Sequence, residues 1–124
     1  MDLGLSEIQK MLQQSSREFL EENCSMQFIR AMESDPIGVT EELWKNFAEL
    51  GWLGLMIPEQ YGGSGFEYQD MSILLEEMGR VSLSGPFFST SIIAVQTILS
   101  AGNETQKSEL LPKIASGDLK FSLS

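Results

Sequence analysis

The chain has 124 residues, 42% hydrophobic and 21% charged, which suits one folded domain with a sizeable core. Eighteen acidic residues against eight basic ones give a formal net charge of −10, and this negative field disfavours nucleic acid and anionic lipid as partners. The chain has no histidine, which excludes Ser–His and Cys–His nucleophile pairs, a histidine base and histidine metal sites. Its single cysteine, Cys24, excludes an internal disulfide and a cysteine-rich zinc cluster. Any chemistry must therefore come from carboxylates or a bound cofactor.

The acidity favours a solvated surface, with a basic partner as the alternative. Apolar stretches are interrupted well before the about 18 residues that a membrane span needs. The first ten residues lack the features of a signal or transit peptide. We therefore expect a cytoplasmic protein with no integral membrane segment, no nucleic acid partner and no metal site.

Helical periodicity dominates the first part of the chain. Apolar side chains recur at steps of three and four over residues 5–20, which predicts an amphipathic helix that Asp2 or Ser6 caps and that ends near Asn23. A short second helix is predicted over residues 25–34, before a turn that contains proline.

Three further segments follow in the middle of the chain. Thr40 is a typical N-cap for a third helix, which Gly51 ends. The apolar stretch 52–58 is too short to form a helix and ends at a proline. Apolar residues over 68–80 return to helical spacing, which predicts a fourth helix.

The last third contains an apolar helix, a capped helix and a tail. Residues 85–102 are apolar almost all the way around, so we expect this helix to be buried on every side at the centre of the domain. Asn103 is predicted to cap a last helix over 104–117. The tail, 118–124, alternates apolar and polar residues like the start of a strand, whose partner strands we expect beyond Ser124. The fold prediction is all-α: a bundle of about five to six helices with a buried central apolar helix, ending at the start of a β-strand.

The segment "YGGSG", residues 61–65, places three glycines in four positions. A phosphate-binding P-loop requires a lysine after its glycines, and none is present. The glycine spacing also differs from that of a dinucleotide-binding turn. The segment is therefore interpreted as a sharp turn that uses the conformational freedom of glycine.

These motifs occur in a familiar order. "ELWKNFAELGWLGLMIPEQYGGSGFEYQDMSILLEEMGR", followed by "AGNETQKSELLPKIASGD", strongly resembles the N-terminal helical domain of acyl-CoA dehydrogenases. The family pattern has a helix ending in E-L-G, then P-E-x-Y-G-G-x-G, then E-E-x-G-R, then A-G-x-E-x-Q-K. The resemblance covers nearly the whole chain, although the part before Thr40 matches by pattern only.

The resemblance implies a fold and a reaction. It divides the chain into an N-terminal α-helical domain, residues 1–119, and the start of a middle β domain, residues 120–124. It implies a flavoenzyme of fatty acid metabolism that uses FAD to dehydrogenate an acyl-CoA between its α and β carbons. An electron-transferring flavoprotein or another acceptor is the implied electron partner, and a homo-oligomer is the implied assembly. The family's catalytic carboxylate lies in a C-terminal domain, so this chain alone is predicted to be inactive.

Candidate site residues also come from the resemblance. By register from the A-G-x-E motif, residues of the apolar helix form the acyl pocket: Ser89 and Ile93 face it, and Phe88 and Gln96 lie nearby. The first flavin contacts fall on Leu123 and Ser124. For Phe88 and Ile93 the alternative is plain core packing, and for Ser89 and Gln96 it is a contact between helices.

The E-E-x-G-R motif is interpreted as mainly structural. Glu76 and Glu77 diverge around a helix and do not form an acid–base pair. Arg80 is predicted to cap helix carbonyls or pair with a carboxylate, with anion binding as the minor alternative.

Two other functions stay open. The chain could be a stand-alone helical interaction module that pairs with a separate flavin-carrying chain. It could also belong to a family relative that acts as an oxidase or monooxygenase, or on carrier-protein thioesters.

Overall fold

A computed structural model describes residues 4–121. These residues form six α-helices: α1 (Glu7–Asn23), α2 (Met26–Met32), α3 (Glu41–Glu49), α4 (Tyr68–Arg80), α5 (Val95–Ala101) and α6 (Glu104–Ala115). A 3-10 turn, Glu59–Tyr61, precedes α4, and a seven-residue π-helix, Phe88–Ala94, leads directly into α5. No strand forms within residues 4–121, so the all-α prediction is confirmed. Part of the predicted strand lies outside the described residues.

Four of the helices begin at residues whose side chains cap them. The hydroxyls of Ser6 and Thr40 accept hydrogen bonds from the backbone N–H three residues later, at 3.1 and 3.0 Å. Ser25 and Asn103 cap α2 and α6 in the same way. Such caps satisfy N–H groups that have no partner inside the helix. The predicted caps Ser6, Thr40 and Asn103 are confirmed, whereas Asp2 lies outside the described residues.

Side chains join α1 and α4 at two levels. At the start of α1, Gln9 Nε2 donates to Asp70 Oδ1 at 2.8 Å, and Asp70 Oδ2 accepts from the Glu67 N–H at 2.9 Å. Further along, the Arg17 guanidinium donates to both oxygens of Glu77, each at 2.9 Å. The hydrogen bonds and charge of Glu77 raise the pKa of Arg17 above its ordinary value. These contacts fix the register of the two helices.

The larger hydrophobic cluster, called here the first core, contains a group of aromatic rings. Phe47 lies at its centre with no exposed surface. Four ring centroids surround the Phe47 ring: Trp52 at 5.2 Å, Trp44 and Phe87 at 6.2 Å, and Phe19 at 6.4 Å. Stacked and edge-to-face geometries of this kind are the favourable ones for aromatic pairs. The first core therefore holds α1, α3 and the start of the π-helix together.

A smaller cluster, called here the second core, lies between α5, α6 and the 3-10 turn. Its buried members are Ile57, Tyr61, Val95, Leu111 and Ile114. The stretch 52–58 runs through the interior without forming a helix, as predicted, and contributes side chains to both cores. It therefore connects the two cores covalently.

The segment 88–101 is buried on one side. Thr90 and Val95 have no exposed surface, whereas Phe88 is 48% exposed and Gln96 is also exposed. The prediction of burial on every side is corrected, because apolar residues on the outer side of this helix have no cover within residues 4–121. Apolar character all around a helix does not by itself show which face the chain covers.

The glycine-rich segment is a turn, as predicted. Gly62 adopts a left-handed conformation with φ of +91°, which glycine adopts without strain. Each N–H of residues 62–65 donates to a backbone carbonyl: Gly62 to Glu59 at 3.0 Å, Gly63 to Pro58 at 3.2 Å, Ser64 to Gly54 at 3.0 Å and Gly65 to Ile57 at 2.9 Å. Because these four donors are already used, this turn does not form a phosphate cradle.

Candidate functional site

Three neighbouring hydroxyl residues are buried within the π-helix. They are Ser89, Thr90 and Ser91, in an otherwise apolar segment. Ser91 Oγ has no hydrogen-bond partner in the part of the chain that the structure describes. Buried hydroxyl groups are costly unless they are hydrogen-bonded, and π-helical turns occur frequently at functional sites. These two features indicate a candidate functional site around the π-helix.

Ser89 and Thr90 bind the backbone of Phe121, which lies 31 residues after Thr90. Thr90 Oγ1 accepts from the Phe121 N–H at 2.8 Å and donates to the Phe121 carbonyl oxygen at 2.9 Å. The Ser89 hydroxyl also contacts that carbonyl oxygen and lies 3.1 Å from the Pro86 carbonyl oxygen. The chain after α6 is thus brought against the π-helix.

A first cleft of about 430 Å³ opens beside these residues. Its lining combines the 36–37 turn, the start of the π-helix and the chain after α6: Pro36, Ile37, Gly85, Pro86, Phe88, Ser89, Lys120 and Phe121. Apart from the Lys120 ammonium and the Ser89 hydroxyl, the side chains in this lining are apolar, and Gly85 has none. The cleft suits a ligand that is largely apolar.

The far wall of the first cleft is shaped by two turns. Asp35 Oδ1 accepts from the N–H groups of Ile37 and Gly38, at 2.8 and 2.9 Å, and these bonds from Gly38 and Ile37 lower the pKa of Asp35. A Cβ atom on Gly38 would lie only 2.9 Å from Gly85 Cα. The absence of side chains at both glycines therefore lets the two turns meet.

Two ion pairs attach the 118–121 segment to α3. Lys120 pairs with Glu41, and its ammonium lies 5.7 Å from the centroid of the Trp44 ring. Lys45 pairs with Asp118 at 3.3 Å. Hydrogen bonds from Ser116 and Lys45, together with the charge of Lys45, lower the pKa of Asp118. The Lys120 charge at the rim of the first cleft is thus already neutralised.

A second cleft, of about 270 Å³, lies along α5 and α6. Its lining is almost entirely apolar and consists of Ser89, Ile93, Ala94, Thr97, Ile98, Leu110 and Phe121. Ser89 and Phe121 belong to both linings. These two residues therefore form the partition between adjoining clefts.

The site residues predicted from the sequence do not all lie in one place in the structure. Phe88 lines the first cleft, Ile93 lines the second, and Ser89 lines both. Gln96 is exposed and is absent from both linings, so the structure does not bring it together with the other three. The predicted flavin contacts Leu123 and Ser124 lie outside the described residues.

Sequence reasoning missed Thr90, Lys120 and Phe121. For Thr90 a signal was present, because three consecutive hydroxyl residues interrupt an apolar helix and must find partners once buried. For Phe121 no local signal exists, since its partners are more than 30 residues away.

The E-E-x-G-R motif lies apart from both clefts. Glu77 is buried and binds Arg17, and Arg80 Nε lies 3.5 Å from its Oε1, so Arg80 pairs with a carboxylate as predicted. Glu76 is exposed and diverges from Glu77. The motif stabilises the contact between α1 and α4, which agrees with its structural interpretation.

Comparison with known proteins identifies the family. The family model described as acyl-CoA dehydrogenase, N-terminal domain, matches residues 6–118. The chain belongs to this family. The mitochondrial isovaleryl-CoA dehydrogenase of Bos taurus is 38% identical over 117 residues, which cover 93% of this chain and 28% of that protein. This acyl-CoA dehydrogenase domain thus spans less than a third of that relative.

Solved structures agree with the assignment. A variant of the Tcur3481-Tcur3483 steroid ACAD superposes with a TM-score of 0.83 and 32% identity, over 94% of this chain and 32% of that one. An acyl-CoA dehydrogenase from Bacillus anthracis, solved in complex with FAD, gives a TM-score of 0.78 at 28% identity, over 95% of this chain and 20% of that one. The domain fold of the family is therefore present here.

Within residues 4–121 no helix combines the length and the apolar character that crossing a membrane requires. The same residues contain no group of three or more His, Cys, Asp or Glu side chains arranged to hold a metal ion.

Proposed function

We propose that this chain forms part of the acyl-binding pocket of an FAD-dependent acyl-CoA dehydrogenase, which dehydrogenates an acyl-CoA thioester between its α and β carbons. The observation that carries the proposal is the pair of adjoining clefts. Three of the four residues that the family resemblance places in the acyl pocket line these clefts: Phe88, Ser89 and Ile93. Gln96 has no support from the clefts and is left out of the proposed pocket.

The clefts suit the acyl chain better than the thioester. Their linings are mostly apolar, and burying an acyl chain contributes about 0.8 kcal/mol for each CH₂ group. The Ser89 hydroxyl lies within hydrogen-bond distance of two backbone carbonyl oxygens, so its single proton is already used within the chain. Ser89 therefore acts through its shape, and the thioester is bound by groups elsewhere in the complete polypeptide.

Proton removal from the α carbon must also come from elsewhere. Neither lining contains an aspartate or glutamate among residues 4–121. The base is therefore a carboxylate in another part of the natural polypeptide, in line with the expectation from the family. The division into an α-helical domain, residues 1–119, and the start of a β domain, residues 120–124, is part of this proposal.

The glycine-rich turn offers no phosphate cradle to FAD, because its N–H groups donate to backbone carbonyl oxygens. Leu123 and Ser124 remain the proposed flavin contacts in this chain. When bound, FAD supplies the acceptor for the β-hydride. The electrons then require a second acceptor, for which we propose an electron-transferring flavoprotein, and a homo-oligomer is the proposed assembly.

The test uses the complete natural polypeptide with FAD and a panel of acyl-CoA thioesters from short branched to long straight chains. Bleaching of the flavin absorbance under anaerobic conditions reports dehydrogenation. Ile93→Ala enlarges the second cleft and should shift the ratio of kcat/KM between long and short substrates about 10-fold toward long ones. Ile8→Ala, the same change at an exposed position on α1, is the matched control.

Two outcomes contradict parts of the proposal. If no acyl-CoA bleaches the flavin, the assigned reaction is wrong. If Ile93→Ala and Ile8→Ala give the same substrate profile, the acyl pocket does not include the second cleft. Rapid reoxidation of the flavin by oxygen would favour the oxidase alternative, and flavin on a separate co-purifying chain would favour the interaction module. The 124-residue chain alone should show neither a flavin band nor activity.

A further inference from the structure

We propose that Thr90 is a positioning residue that fixes the partition between the two clefts by holding the backbone of Phe121. The effect on substrates rests on the proposed function. The clamp itself is a property of the fold and can be tested separately.

The Thr90 hydroxyl binds both backbone polar groups of one residue. Thr90 Oγ1 lies 2.8 Å from the Phe121 nitrogen and 2.9 Å from the Phe121 carbonyl oxygen. A hydroxyl group has one proton to donate and lone pairs to accept, so it makes both bonds at the same time. Thr90 thus gives Phe121 the two partners that a neighbouring β-strand would provide.

The Thr90 side chain is buried, whereas each ion pair of the same segment has a largely exposed member. Thr90 has no exposed surface. The Lys45–Asp118 pair has side chains more than half exposed, and Glu41 in the pair with Lys120 is 68% exposed. Exposed ion pairs contribute little to stability and are screened by salt, whereas a hydrogen bond made by a buried hydroxyl is not screened in this way. The hydrogen bonds of Thr90, with that of Ser89 to the same carbonyl oxygen, are therefore the polar attachments that should persist at high ionic strength.

The clamp reaches the clefts through Phe121. Thr90 lines neither cleft, but Phe121 belongs to both linings. The partition is completed by Ser89, which precedes Thr90 in the π-helix. A change at Thr90 should therefore alter how substrates of different size fit, although Thr90 touches no substrate.

Thr90→Val tests the clamp, because valine has nearly the shape of threonine and lacks the hydroxyl. Thr90→Ser keeps the hydroxyl and serves as the rescue variant. Thr105→Val, the same change at an exposed position on α6, is the matched control. All variants are made in the complete polypeptide with FAD, and hydrogen exchange is followed by mass spectrometry in the peptide that contains Phe121.

We expect Thr90→Val to speed exchange in this peptide about 10-fold while peptides from α4 stay unchanged. Thr90→Ser should restore protection, and Thr105→Val should match the wild type. The second measurement is the acyl-CoA panel: Thr90→Val should change KM more than kcat, most strongly for the largest substrates, and Thr90→Ser should reverse this. Unchanged exchange in Thr90→Val would overturn the proposal.

A third measurement needs no variant and covers the case in which Thr90→Val does not fold. Exchange in the Phe121 peptide of the wild type should be the same at low and at 1 M salt. Loss of protection at high salt would show that the ion pairs hold the segment and would refute the clamp. If no acyl-CoA is oxidised by the wild type, the proposed function fails, yet the exchange experiments still decide the clamp.

Discussion

The two cores of the molecule differ in how completely they are closed. In the first core, Phe47 is surrounded by four aromatic rings and has no exposed surface. The second core has fewer buried members. Both clefts open beside the π-helix, and the second cleft also opens beside α5, which contributes to this core. The more closed core and the proposed binding site thus lie in different parts of one small domain.

Buried polar groups follow the same division. Beside the first core, the buried carboxylate of Glu77 pairs with Arg17 and Arg80, which lie on α1 and α4. Beside the clefts, the hydroxyls of Ser89 and Thr90 bind the backbone of a distant segment. The first arrangement fixes helices against each other, whereas the second positions a wall of the proposed acyl pocket.

The comparison predicts that truncating a buried side chain lowers the free energy of unfolding most in the first core. Phe47→Ala should lower the free energy of unfolding by about 4 kcal/mol, because it removes a fully buried ring and leaves a cavity. Leu111→Ala, at a fully buried position in the second core, should cost about 3 kcal/mol. Urea unfolding of the chain measures both.

Hydrogen exchange sharpens the contrast between these two variants. Phe47→Ala should reduce protection in α1, α3 and α4 together, while Leu111→Ala should reduce it mainly in α5 and α6. Equal loss of protection throughout the chain in both variants would show that the two cores act as one.

Two glycines of the glycine-rich turn are needed for different reasons, Gly63 for the space around it and Gly62 for its backbone conformation. A Cβ on Gly63 would lie 2.1 Å from the Ile57 carbonyl oxygen, and backbone cannot move away easily, so Gly63→Ala should cost about 3 kcal/mol. Gly62→Ala meets no atom within 4 Å and carries only the strain of a φ of +91°, about 1 kcal/mol. Comparing the urea midpoints of the two variants checks this order, and a larger effect at Gly62 would contradict it.

The smallest expected effect concerns pH and the first cleft. The folded-state pKa of Asp35 lies below the unfolded value of about 3.9, so its charge stabilises the fold above that pH. This contribution is lost as the pH falls through the folded-state pKa. Asp35→Asn should therefore lower the urea midpoint at pH 7 and differ less from the wild type near pH 3. If the difference in urea midpoint between the wild type and Asp35→Asn grew as the pH falls, the charge of Asp35 would not stabilise the fold.

Local features of the fold could be predicted from the sequence, and distant contacts could not. The caps Ser6, Thr40 and Asn103 were predictable because their partners lie three residues away. The helix over 68–80 followed from its apolar spacing. The turn at 61–65 followed from the backbone conformations that glycine permits.

The candidate site was predictable only in part. The family resemblance named Phe88, Ser89, Ile93 and Gln96 for an acyl pocket, and the first three line the clefts. No local pattern could pair Thr90 with Phe121, which is 31 residues away. The π-helix was not predicted, because the apolar spacing of a sequence is interpreted with the α-helical period of 3.6 residues. Its wider turn changes which neighbouring side chains share a face.

The number of residues in the π-helix has a consequence for insertions and deletions. Each residue of an α-helix turns the chain by about 100°, so deleting one residue from Phe88–Ala94 would let the segment rewind with ordinary helical hydrogen bonds. Because the wider π turn accommodates one extra residue, the residues before the deletion would keep nearly the same direction relative to α5. Among related chains, loss or gain of a single residue here would therefore change which side chains line the clefts and leave the flanking helices in place.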